Sequence, residues 1–241
     1  MAVQHSYGKM VTDGLVLYLN AADANSYVSG STTWRDLAGS NNGTLTNGPT
    51  YNSANYGSIV FDGVNDYMSL STPLIPATSN WTYSTFFNLN VLATGSVLYG
   101  QYIANAGNGR ILIRVSDSVA NSSQFSLFLG SGATYGSAFL YTTTTASINT
   151  PYNLTIVREN QTFSMYVNGT YNTGSTFAFT ASILQTTPII GGRTNNSSAP
   201  TPVDTDFLNG RIYTTQIYNR ALSASEVLQN YNATKARFGL T

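Results

Sequence analysis

The stretch WTYSTFFNLNV alternates from its first residue, with Trp81, Tyr83, Thr85, Phe87 and Leu89 on one side. A two-residue period is that of a β-strand whose faces meet different surroundings. Runs of this kind recur along the chain: GLVLYLN from Gly14, SIVFDG from Ser58, YMSLS from Tyr67, GRILIRVS from Gly109 and QFSLFLG from Gln124. YNLTIVRENQTFSMYVNGTYN reads as a hairpin, with a turn near Glu159-Asn160-Gln161 and another marked by Asn168-Gly169. PIIGG and GRIYTTQIYN complete the set. Many short strands separated by turn residues are the pattern of a sandwich or jelly roll, so the fold class expected is all-β with two antiparallel sheets. The apolar side of these strands predicts a core of Ile59, Phe61, Trp81, Tyr83, Phe87, Leu154, Ile156, Met165, Val167 and Ile212.

The chain changes period near its end. From Gly210 to Tyr218 it alternates, with Ile212, Thr214, Gln216 and Tyr218 pointing one way and Arg211, Tyr213, Thr215 and Ile217 the other. Ser223-Ala224-Ser225-Glu226 then has the form of a capping box, and Val227, Leu228 and Tyr231 fall on one helical face. A short amphipathic helix therefore follows the last strand and needs a surface to cover. Thr142–Ser147 (TTTTAS) suits an exposed strand, whereas residues 194–206 (TNNSSAPTPVDTD) read as a solvated loop. No linker or repeat divides the chain. An N-terminal arm over residues 1–13 and one domain over 14–241 are expected.

Composition narrows the function. Charged residues are only 8% of the chain, against about 25% in ordinary soluble proteins. With 10 basic and 10 acidic residues, a large basic patch for nucleic acid is excluded. There is no cysteine, so neither disulfides nor thiol chemistry contribute. No stretch approaches the roughly 20 apolar residues of a membrane span, so membrane insertion is not expected. The polar residues are mainly Ser, Thr and Asn, an extracellular type of surface, yet MAVQHSYGKMVTDG lacks the apolar run of a signal peptide. A virion protein assembled in the host cytoplasm and released by lysis has both features, and so does a mature secreted chain.

Six segments in order, GLVLYLNAADANSY, TWRDLAGSNNGTLTNGPTY, SIVFDGVNDYM, YNLTIVRENQTFSMYVNGTY, PIIGGR and GRIYTTQIYNRALSASEVLQNY, resemble the concanavalin A-like domains of the laminin G type. The resemblance runs from about Gly14 to Leu240. It implies a jelly roll whose last strand pairs with its first, with the short helix folding over an open end of the sandwich. The wording at the two ends, HSYGKMVTDGLVLYLNAADANSY and NYNATKARFGL, is similar to versions found in tailed-phage virion proteins.

Catalysis finds little support in the residues. Glucanases of this superfamily carry Glu-x-Asp-x-x-Glu on a strand, which is absent, and glycoside hydrolysis needs two carboxylates across the scissile bond. The glutamates are Glu159, in a predicted turn, and Glu226, in the capping box; His5 is the sole histidine. No enzyme activity is expected. The resemblance implies a possible Ca²⁺ site, for which the candidates are Asp23, Asp36, Asp204 and Asp206; Asp36, Asp62 and Asp66 equally suit bonding to their own turns. Glycan binding needs an aromatic ring beside hydroxyl and amide groups. Trp34, Tyr27, Tyr51 and Tyr56 are the candidates, while Trp81 reads as core. Two readings follow. One is a non-catalytic virion surface protein, decorating a capsid or built into a fibre, whose partners are other virion proteins or further copies of itself. The other is an adhesin that recognises host-surface glycans.

Overall fold

The computed structural model describes residues 9–76, 78–92, 95–101, 110–117, 122–131, 136–177, 187–193 and 206–240. In chain order the strands are β1 (Leu15–Asn20), β2 (Thr33–Trp34), β3 (Gly43–Thr46), β4 (Thr50–Asn52), β5 (Ser58–Asp62), β6 (Tyr67–Leu70), β7 (Trp81–Leu89) and β8 (Ser96–Gln101). They continue as β9 (Arg110–Asp117), β10 (Ser122–Ser131), β11 (Gly136–Thr145), β12 (Tyr152–Glu159), β13 (Thr162–Val167), β14 (Thr170–Thr176), β15 (Ile189–Ile190) and β16 (Asn209–Tyr218). One helix, α1 (Ala224–Lys235), follows.

The strands form two antiparallel sheets. The first runs β14-β13-β12-β7-β16-β5-β4, and the second β11-β10-β9-β8-β15-β6-β3-β2. In the first sheet β7 takes one edge of β16, while β5 and β1 share the other, β5 opposite residues 209–212 and β1 opposite 214–218. First and last strands are thus paired, as the resemblance implied. Alternation along each strand sends one set of side chains between the sheets, and all ten predicted core residues are buried. Trp81 meets Phe163 edge-on, and Phe87 meets Phe125 the same way. The predicted turns are present. Val167 pairs with Thr170 across Asn168-Gly169, whose φ values of 51° and 76° are those a two-residue hairpin turn requires. Glu159 pairs with Thr162 across Asn160-Gln161. TTTTAS lies on β11, at an edge of its sheet, through Thr145. The long loop predicted before β16 falls, except for Asp206, outside the described residues.

Two expectations need correction. Strict alternation on β16 fails, because the register against β7 shifts between Ile212 and Thr214, leaving Tyr213 as an extra residue. Ile212 and Ile217 therefore both enter the core between the sheets, although an unbroken alternation would put them on opposite faces. The helix does not close an end of the sandwich. It lies on the outer face of the first sheet, where Val227 and Leu222 pack with Val157, Tyr166 and Tyr218. Tyr231 stacks on Phe86 at 5.9 Å, and Phe86 stacks on Phe238 at 4.7 Å. The cause is the bulge together with Phe86, which leave aromatic side chains on that outer face. Left bare, they would be an exposed apolar patch.

Lys9–Asp13, assigned to the arm on sequence grounds, lies along this same layer. Val11 is buried; its amide donates to Asn230 Oδ1 at 2.8 Å, and its carbonyl accepts from the Tyr218 hydroxyl at 3.0 Å. Gln229 Nε2 donates to the Lys9 carbonyl at 2.6 Å. Lys9 and Val11 are thus bonded to the helix and to β16.

The capping box at Ser223 is formed as predicted: Glu226 N donates to Ser223 Oγ at 3.3 Å, and Ser223 N donates to Glu226 Oε2 at 2.8 Å. Arg220 adds a two-pronged contact to the same carboxylate, at 3.0 and 2.6 Å. Hydrogen bonds from Arg220, and then from the Ser223 amide, hold the Glu226 carboxyl down to about 2 from an ordinary value of 4.5. The folded form thus gains stability from this carboxylate above its unfolded value, and loses it as pH falls from about 4.5 through about 2. Comparing acid unfolding of the wild type and Glu226→Gln should show the wild type losing more stability across that window. Parallel acid profiles would remove Glu226 as a contributor. Ser223→Ala should cost about 0.5–2 kcal/mol at neutral pH through loss of the cap.

Candidate glycan-binding groove

The two sheets are held together differently at their two sides. On one, Asn172 of β14 accepts from the Thr143 amide at 2.7 Å and donates to Thr144 Oγ1 at 2.8 Å, tying β14 to β11. On the other, β2 and β4 end their sheets, and the chain crosses from β3 to β4 through Asn47-Gly48-Pro49. There a groove of about 490 Å³ opens. One wall is the loop Ser29–Thr32 before β2, the other is Asn47–Thr50, and Leu45, Tyr27 and Tyr51 complete the lining.

Three of the four aromatic candidates meet at this place. Tyr27 stacks on Tyr51, with centroids 5.6 Å apart and planes 29° apart, and meets Trp34 edge-on at 6.4 Å. The order runs from the core outward. Trp34 is fully buried behind the groove, with no partner for Nε1 among the described residues; Tyr27 is 5% exposed, and Tyr51 is half-buried. Trp34 is therefore a support for Tyr27 and does not line the groove. The Tyr27 hydroxyl donates to the Ser31 carbonyl at 3.0 Å, which fixes the ring against the loop. Burial pushes the Tyr27 phenol up, so it stays neutral. Tyr56 is 65% exposed, stands in the turn after β4 and does not line the groove.

The remaining lining is uncharged and, apart from Leu45, Pro49 and two glycines, polar. Ser31 Oγ accepts from the Thr33 amide, and Asn47 Nδ2 donates to the Asn65 carbonyl at 2.8 Å. Among the described residues, the hydroxyls of Ser29, Thr32 and Thr50 make no hydrogen bond within the protein. They are three free donor-acceptors around one aromatic pair. Reading from sequence missed the two walls, because their residues are ordinary turn formers. The signal present was SGST before β2 and TNGP after β3, matched polar loops flanking two very short strands.

The described aspartates do not assemble. Asp36 accepts from the amides of Tyr18 (2.9 Å), Ala38 (2.8 Å) and Asn41 (3.1 Å), so its carboxylate holds its own loop to β1. Asp23 accepts from Asn25, and Asp206 is ion-paired with Arg193. Asp204 lies outside the described residues. Among the described residues no three His, Cys, Asp or Glu side chains gather where they could hold an ion. The described candidates do not fit a shared calcium site. Asp62 likewise bonds its own turn, accepting from Val64 at 2.8 Å, and Asp66 accepts from the Asp62 amide at 3.1 Å.

The two sheets, with the helix laid on the outer face of the first, define a lectin-like jelly roll with an uncharged aromatic groove at one side. Residues 62–228 match the Laminin_G_3 family, described as the concanavalin A-like lectin/glucanases superfamily, and the chain belongs to it. The groove residues precede the matched stretch. No curated protein matches the sequence. Among solved structures, the chain is similar to domain 4 of AbnA, a GH43 extracellular arabinanase of Geobacillus stearothermophilus solved with arabinotriose. The identity is 18% and the TM-score 0.68, over 90% of this chain and 98% of that one. It is similar to the binding domain of Paraclostridial Mosquitocidal Protein 1 at 19% identity and TM-score 0.66, over 92% of this chain and 52% of that one. Trypanosoma rangeli sialidase, solved with 2,3-difluorosialic acid, is similar at 17% identity and TM-score 0.64, over 93% of this chain but 34% of that one. The chain thus spans about half of the toxin domain and a third of the sialidase. At these identities the likeness is one of fold. Among the described residues, no helix is long and apolar enough to cross a membrane.

Proposed function

We propose that the protein is a non-catalytic carbohydrate-binding module that takes a sugar in the groove between Ser29–Thr32 and Asn47–Thr50. The observation that carries this reading is the Tyr27–Tyr51 pair, backed by Trp34 and ringed by the free hydroxyls of Ser29, Thr32 and Thr50. A sugar ring offers an apolar face to such a pair and hydroxyls to such a rim. The likeness to an arabinanase domain solved with arabinotriose, and to a toxin's binding domain, supports it. The non-catalytic part rests on the two glutamates. Glu226 is committed to Arg220 and the helix cap, and Glu159 closes the exposed β12–β13 turn.

Tyr51→Ala should weaken binding to a glycan array by about tenfold or more; loss of a half-buried ring stacked on Tyr27 also lowers the melting temperature, but the protein stays folded because Tyr51 sits on a short edge strand. Retained binding by a folded Tyr51→Ala protein would exclude the groove. The second reading places the module on a virion, on a capsid or in a fibre, with other virion proteins as partners. The similarity of HSYGKMVTDGLVLYLNAADANSY to tailed-phage virion proteins and the 8% content of charged residues favour it. Cryo-electron microscopy of intact particles, with density of this sandwich sought on their exterior, tests that placement. Particles without such density would remove it.

A further inference from the structure

Resting on that reading of the groove, we propose that its ligand is an uncharged saccharide and that sugars bearing a carboxylate are rejected. None of the residues lining the groove is Asp, Glu, Lys, Arg or His. A carboxylate seated against Tyr51, Pro49 and Leu45 would give up part of its water and meet only hydroxyls and amides in return. Burying a charge without a partner is far costlier than burying a hydroxyl that gains a hydrogen bond.

The surroundings do not lend a cation either. Behind Tyr51, Arg237 reaches from just past α1 to the turn after β4, and each of its three guanidinium nitrogens donates a hydrogen bond. Nε donates to the Asn55 carbonyl at 2.5 Å, Nη1 to Asn20 Oδ1 at 3.0 Å, and Nη2 to the Gly57 carbonyl. Its planar face lies 5.5 Å from the ring centres of Tyr213 and Phe238. Turning it toward a ligand would strip three carbonyl-type acceptors and an aromatic contact at once. Arg35 is exposed and does not line the groove. Nor would a cationic ligand fare better, since the Asp36 carboxylate is already engaged by three amides. The groove is therefore selective by omission: it recognises a ring face and hydroxyls, and it offers no counter-ion.

The test uses matched oligosaccharide pairs, each a neutral glycan and the same glycan carrying a sialic or uronic acid, printed on one array. The wild type should bind acidic members at least about tenfold more weakly than their neutral partners. Its affinity for neutral members should change by less than about twofold between low and high salt, since no charge pair is made. Val28→Arg adds a cation beside the Ser29–Thr32 wall, at a residue that is 53% exposed and does not line the groove, and should recover binding to acidic members in a salt-dependent manner. Tyr51-dependent binding of the wild type that favours acidic members would overturn the selectivity and leave the groove as a sugar site. Binding that Tyr51→Ala leaves intact, or no glycan bound at all, would overturn both. Failure of folded Val28→Arg to gain acidic ligands, with neutral binding retained, would also count against the selectivity argument.

Discussion

Replacing Phe61 by alanine is expected to lower the unfolding free energy by about 3–5 kcal/mol, the range for emptying a buried aromatic site. Phe61 lies on β5, is 0% exposed and belongs to the core between the sheets. Its backbone pairs with Gly210 on β16, the strand at the centre of the first sheet. Its ring reaches the second sheet at Gly191, just after β15, where a Cβ on that glycine would lie 2.8 Å from Phe61 Cδ1. The ring thus fills the space between two backbones, and strands bonded on both edges cannot close in to fill the void. Urea unfolding of the two proteins, with an unchanged slope, measures the loss. A difference below about 1 kcal/mol would mean that the site collapses around the missing ring.

Gly191→Ala is the complementary case and should be comparably severe. Gly191 has φ of +83°, which costs a residue with a side chain about 1–3 kcal/mol. Its new methyl would also strike the Phe61 ring, and overpacking of this kind costs about 1–3 kcal/mol more. The two parts can be separated. In a Phe61→Ala background the collision disappears and the backbone cost remains, so the double variant should be more stable than the sum of the single losses predicts. Strict additivity would show that the ring and the glycine do not compete for the same space.

Those two residues also show what a sequence reveals and what it hides. Phe61 was legible as core because SIVFD alternates and alternation needs no knowledge of the partner strand. The same local logic located the β12–β13 turn, the Asn168-Gly169 turn and the Ser223 cap, each specified within four residues. Gly191 was legible as a strand end, but the ring that depends on it is 130 residues away. The bulge at Tyr213 was hidden for the same reason, since nothing in GRIYTTQIY marks which residue the neighbouring strand will skip. Once it is overlooked, the outer aromatic face is lost, and with it the surface on which the helix lies. The groove was half legible: Tyr27, Trp34 and Tyr51 were candidates because of their chemistry. That Trp34 would be support, and that two turn-rich loops would face each other, depended on how β3 crosses to β4.

The pairing of β16 has a consequence for how the molecule comes into being. Residues 209–218 bond to β1, β5 and β7, segments that leave the ribosome far earlier. Until β16 arrives, each of those strands has an open edge, and edges of this kind are templates for wrong partners. Hairpins such as β12–β13 can form as they emerge, but the first sheet is joined only once residues 209–218 have been made. Such long-range closure makes for slow folding and a prolonged, association-prone nascent state. The arrival of β16 is thus the step that commits the sandwich, and a polypeptide stopped before Asn209 would carry most of the core sequence while leaving β1, β5 and β7 without their common partner.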